Sequence, residues 1–214
     1  MLPLPGRMRE RRTARADAAL HEAAREALAL LADITAALSG TPLESEGQRL
    51  SYLMATTAMR SLWAAWELLE QGYGAQAATV VRSALEYWAA AVYLWKRPEE
   101  ARLWLEGNPR RLPPLEQMRR SLPRPYAQRW RRSYDRLSEV AHPRLRGLLE
   151  ALDVVQHDPL REDAAPGQTV TREVARSALA MLETVPLLAA VLERAPDLRE
   201  RLESLRRRLQ RAAD

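Results

Sequence analysis

The sequence predicts an all-α fold, an antiparallel helical bundle with additional C-terminal helices, and three observations carry that expectation. Most of the eight glycines and most prolines fall between long stretches rich in Ala, Leu, Arg and Glu, where apolar residues recur at helical spacing. β-branched residues are sparse, and no alternating run is bounded by an Asn-Gly or Asp-Gly turn. Of the 214 residues, 47% are hydrophobic, enough for a core that needs no covalent staple. The expected organisation is a single helical domain over 1–214, with a bundle core at about 44–152, an N-terminal helix within 1–40 and a C-terminal helical pair over 170–214.

A first helix is predicted over about 7–38, with Leu20, Ala24, Leu28, Leu31 and Thr35 along one face and a stop at Ser39-Gly40-Thr41-Pro42. A second runs over about 44–71 and ends at Gly72. The link Tyr73-Gly74 is so short that the third helix, about 75–95, must return antiparallel to it. That third helix is apolar nearly all round, the pattern of a buried centre, except for a stripe of Gln76, Thr79, Ser83 and Glu86 with Arg82 beside it. Pro98-Glu99-Glu100 opens a short helix to Glu106, with two acids in its first turn favouring the macrodipole. Pro113-Pro114 and Pro123-Arg124-Pro125 bracket another. A helix over 126–141 stops at His142, because Pro143 disfavours the α conformation in the residue before it. A turn or two over 145–152, a loop over 153–168, a helix over about 170–193 kinked at Pro186, and a last helix over 196–211 complete the chain.

Composition narrows the chemistry. There is no cysteine, which excludes disulfides, thiolate catalysis and cysteine-based zinc sites and fits a reducing compartment. His21, His142 and His157 lie far apart, with no spacing that places two rings on one helical face, so no metal and no cofactor is expected. The first residues lack the apolar region of a signal peptide and no stretch is apolar enough to span a bilayer, which leads to an expectation of a cytoplasmic protein with no membrane partner. The formal charge is +5 with Lys96 the sole lysine, so the basicity is arginine basicity. Arginine's planar fork suits phosphate recognition.

Three constellations stand out. Arg82 and Glu86 are four residues apart on the third helix, so they form either a partly buried ion pair or two groups facing a cleft that binds substrate. In QRWRRSYDRLSEVAHP, Ser138 and His142 share a helical face and Glu139 is three residues from His142. Arg136 lies about 120° round and about 9 Å along from His142, so the two converge on one phosphate only if the helix end unwinds or a second subunit takes part. His supplies a proton-exchanging group near neutral pH and Arg a fixed cation, the two needs of phosphoryl transfer. The structural alternative is a helix-terminal His142 favoured by the dipole, with Arg136 a solvated charge. Finally, twelve arginines lie between Ala101 and Gly147 against Glu106, Glu116, Asp135 and Glu139, with Trp104, Tyr126, Trp130 and Tyr134 interleaved. Arginines with aromatics suit single-stranded nucleic acid, whereas the alternative makes the aromatics core anchors and the arginines a rim. Arg132 and Arg144 of this run flank the Arg136–His142 segment. The C-terminal run places Leu198, Leu202, Leu205 and Leu209 at helical spacing, which reads as a packing helix.

The stretch QGYGAQAATVVRSALEYWAAAVYLWKRPEEARLW, followed by YDRLSEVAHP, resembles the bacterial DUF5677 proteins, which are similar to the HEPN superfamily (higher eukaryotes and prokaryotes nucleotide-binding). The likeness covers about residues 50–145. It implies a HEPN-like bundle, often a homodimer, in which an R-x4-6-H motif forms a metal-independent ribonuclease site across the dimer. Arg136 and His142 take the motif positions, and Arg82 and Glu86 those of the R-x-x-x-E. One position departs from the pattern: Leu137 stands where active members commonly carry a polar residue.

Residues and resemblance together leave three readings. In the first, the chain is an RNA- or nucleotide-directed endoribonuclease of a defence or toxin–antitoxin type system. His142 serves as general base or acid at the 2′-hydroxyl, Arg136 stabilises the phosphorane oxygens, Ser138 or Glu139 orients the imidazole, and Arg82, Glu86, Arg132 and Arg144 hold substrate. In the second, the bundle binds RNA, a nucleotide or a protein partner without turnover. In the third it is a scaffold, with the leucine-bearing C-terminal helix as a dimer interface.

Overall fold

The computed structural model describes residues 5–38, 40–141 and 166–211. His142, Arg144, His157 and the turn expected over 145–152 lie outside the described residues, as does most of the loop expected over 153–168. Among the described residues there are nine α-helices and no strand, as expected for an all-α bundle.

Helix α1 (Pro5–Ala37) ends before Gly40, whose positive φ of 83° turns the chain. Helix α2 (Glu46–Glu70) begins at Ser45, whose side chain accepts from the Gln48 amide, while Gln48 Oε1 accepts from the Glu44 amide at 2.7 Å. It closes at Gly72 (φ 83°), where the Gly72 and Tyr73 amides bond back to Leu69 and Leu68. Helix α3 (Gly74–Lys96) follows at once and runs antiparallel. Ser51, early in α2, donates its hydroxyl to the Ala91 carbonyl, late in α3, at 2.8 Å. Pro98, in a single 3-10 turn after α3, sits against Gly47; a Cβ there would lie 2.4 Å from the proline. Helices α4 (Ala101–Leu105) and α5 (Leu115–Arg120) are short, and α6 (Arg124–Ala141) is the helix expected over 126–141, begun two residues earlier.

The expected kinked helix over 170–193 is instead two helices, α7 (Pro166–Thr184) and α8 (Pro186–Arg194), set at 78° to each other. Pro186 has no amide to give and its ring excludes the carbonyl four residues back, so Val185 is extended (ψ 112°) and the direction changes completely. Helix α7 also starts inside the segment expected to be loop, with Pro166 as its first residue. Helix α9 (Pro196–Arg211) is the last.

The core is continuous from α1 to α9. Helix α3 is buried all round only in its second half, Trp88 to Leu94; in the first half Gln76 and Thr79 are exposed, while Ser83 and Glu86 are half-buried. Helix α7 packs on α1, α2 and α3, and the Trp88 indole donates to Thr184 Oγ1 at 2.7 Å. Helix α9 lies along α1 and buries Leu202, Leu205 and Leu209 within the chain, with Leu198 partly covered. These leucines are therefore packing residues of this bundle, and the scaffold reading loses the interface it assigned to them. Among the described residues no single helix is long and apolar enough to cross a membrane.

Candidate functional site

Helix α6 is built to present arginines. Ala127, Trp130, Ser133 and Leu137 recur at three- and four-residue spacing and are buried, which turns Arg124, Arg129, Arg131, Arg132 and Arg136 outward. Trp130 is the anchor: it is buried, its indole N–H donates to the Leu85 carbonyl of α3 at 2.8 Å, and its ring stacks on Tyr134 at 4.7 Å. It belongs to the core, so it is not a stacking platform for a base. Leu137 is wholly buried, which explains why an apolar residue follows Arg136: that position belongs to the core.

Arg136 and Arg82, the two arginines singled out from the sequence, occupy separate environments. Arg136 reaches α7, where Nη1 meets Oε1 of Glu173 at 3.0 Å; its side chain is 46% exposed and that of Glu173 only 2%. Ser133 donates to the other oxygen of Glu173 at 2.5 Å, and Arg176 Nη1 lies 3.8 Å from Oε1. The buried carboxylate is thus compensated by two guanidinium groups and a hydroxyl, as a charge removed from water requires. Arg82 and Glu86 are half-buried and joined through Tyr134: the phenol donates to Glu86 Oε1 at 2.9 Å, and the Arg82 guanidinium lies 5.6 Å from the ring centroid. Burial, and then the Glu86 carboxylate, push the Tyr134 phenol above its usual range. Ser138 is half-buried and Glu139 exposed, one and two residues beyond Leu137, while Arg132 is exposed on the outer face. His142 and Arg144 are outside the described residues, so the convergence of Arg136 with His142 is not part of this geometry.

Sequence reasoning missed the α7 side of the site. Glu173 and Arg176 face α6, and Arg172 Nε is buried without a hydrogen-bond acceptor among the described residues. Burial pushes the Arg176 guanidinium down, as do the positive charges of Arg172, Arg129 and Arg136, against the pull of Glu173. One signal was readable: Val170, Glu173, Val174, Ser177, Ala178 and Met181 form the buried stripe of α7, and a carboxylate on such a stripe needs a cation from elsewhere. A cleft of about 640 Å³ lies beside this cluster between α6, α7 and α9. On one wall Arg206 Nη2 meets Glu183 Oε1 at 2.5 Å, and Tyr126 donates its phenol to Glu183 Oε2. Among the described residues no group of three or more His, Asp or Glu is arranged to hold a metal ion.

The arrangement is suited to binding anions: guanidinium groups outnumber carboxylates along the α6–α7 face, and Arg136 is held in place by its bond to Glu173. In comparisons with protein-family models, curated proteins and solved structures, nothing matches this chain.

Proposed function

We propose that this chain is a HEPN-like, RNA-directed protein that lays a phosphate backbone across the arginine face of α6 and α7. It would work as a homodimer, with a protein partner, in a defence or toxin–antitoxin type system. The observation that carries this reading is the outward row of Arg124, Arg129, Arg131, Arg132 and Arg136 beside Arg172 and Arg176 of α7. Phosphate contacts supply sequence-independent affinity, and arginine supplies them bidentately. The likeness to DUF5677 proteins supports RNA or a nucleotide as the ligand, the dimer, and the metal-independent chemistry.

In the catalytic form of the proposal, His142 removes the proton of a ribose 2′-hydroxyl and that oxygen attacks the adjacent phosphorus. The bond from phosphorus to the 5′-oxygen breaks, and the leaving oxygen takes a proton from solvent or an acid. Arg136, held by Glu173 with half of its side chain exposed, is the cation for the phosphorane. Binding without turnover is the second reading, and one observation favours it: Arg136 already has a carboxylate partner. Labelled single-stranded RNA incubated with the protein in EDTA separates the two. Cleavage that His142→Ala abolishes supports the enzyme; intact RNA with steeply salt-dependent binding supports the binder; no binding at low salt sinks both.

A further inference from the structure

We propose that the cleft between α6, α7 and α9 binds a small organic phosphate, its ring-sized apolar body on Leu179, Ala180 and Leu209 and its dianionic head between Arg129 and Arg176. The volume, about 640 Å³, falls within the roughly 300–1,000 Å³ usual for small-molecule sites. Its two kinds of lining are segregated. The floor is carbon, from buried residues of α7 and α9 that also belong to the core. The rim is guanidinium, from Arg129 of α6, Arg176 of α7 and Arg206 of α9.

Charge selects the head group. Arg206 is matched by Glu183 at 2.5 Å, so it forms a wall and leaves Arg129 and Arg176 to face a ligand. Arg176 shares Glu173 with Arg136, at 3.8 Å against 3.0 Å, so its charge is only partly answered. Among the residues that line the cleft, Arg129, Arg176 and Arg206 stand against Glu183. Two positive charges are left over, which suits a phosphate dianion better than a carboxylate. The site requires neither RNA nor His142.

Isothermal titration of the full chain with phenyl phosphate tests the inference. Saturable binding is expected, about tenfold tighter than inorganic phosphate, which lacks the body for the floor, and about tenfold tighter than benzoate, which lacks the second charge. Arg129→Glu, at an exposed position that the fold does not need, should weaken phenyl phosphate at least about tenfold with an unchanged melting temperature. Adenosine monophosphate distinguishes the sources of the shared chemistry: tighter binding than phenyl phosphate identifies a nucleoside body, weaker binding a smaller aryl one. Absence of saturation, equal binding of benzoate, or an unaffected Arg129→Glu variant would each overturn the proposal. Phenyl phosphate binding in a protein that binds no RNA would leave it standing while the RNA reading fell.

Discussion

Helices α6 and α9 look alike in sequence, and the structure uses them differently. Both are amphipathic, both carry several arginines, and both bury an apolar stripe: Ala127, Trp130 and Leu137 in one, Leu202, Leu205 and Leu209 in the other. Three of the arginines of α9 meet carboxylates on neighbouring helices. Arg201 pairs with Asp33 at 3.1 Å and Arg208 with Glu26, both on α1, and Arg206 pairs with Glu183 on α7. On α6 only Arg136 makes such a pair across helices among the described residues; Arg131 lies 3.8 Å from Asp135 of its own helix, where both are well exposed. The same kind of helix is thus a structural strap where carboxylates face it and an open cationic surface where they do not. The neighbours decide which.

The comparison can be broken first at the stripes, where the largest effects lie. Leu137 and Leu205 are both fully buried, so replacing either with Ala should cost about 2–5 kcal/mol in a denaturant melt. A much smaller loss for Leu205→Ala would mean that α9 is not a structural strap. Next comes the cross-helix charge. Arg136→Ala leaves the buried Glu173 carboxylate with Ser133 and the more distant Arg176, and should destabilise by about 1.5–3 kcal/mol. Arg201→Ala removes an exposed pair and should change stability by only about 0–1 kcal/mol. If the two arginines cost the same, burial of the partner is not what separates them.

The open face is tested by RNA affinity against salt. Arg132→Ala should reduce the slope by about 1 without altering stability, and Arg201→Ala should leave the slope unchanged. The smallest effect is in pH. Tyr134 and Tyr126 of α6 donate to carboxylates, and burial first, then Glu86 and Glu183 respectively, raises both phenols above their ordinary value of 10.0. A raised folded-state value means that the unfolded chain loses these protons first. The stability they contribute is complete below pH 10 and declines as pH climbs toward the folded-state values. Urea melts at pH 9 and pH 11 should show that decline, and Tyr134→Phe should make it shallower.

Legibility followed the range of the forces involved. Helix α6 was readable because its prolines and its helical period are local properties, although the place of Trp130 in the core was left open; the tight return from α2 to α3 was readable because Gly72 and the short link leave no other route. The exit of α7 at Pro186 was legible as a perturbation but not as a 78° turn, since the residual angle depends on how Leu187 and Leu188 pack. The tyrosine between Arg82 and Glu86 escaped the sequence reading because spacing along α3 says nothing of what α6 places against it. Glu173 escaped for the same reason: its partners are some forty residues upstream, on another helix.

The sequence alone determined the all-α class and most of the breaks between helices, because helix propensity, proline geometry and hydrophobic period act within a few residues. Tertiary structure alone decided which arginines are paired and which remain open. It set Leu137 into the core and Arg136 against Glu173, turned the leucines of α9 inward onto α1, and shaped the cleft beside Arg129 and Arg176. Charge compensation across helices depends on distance in space, and a sequence read one helix at a time contains no such distance.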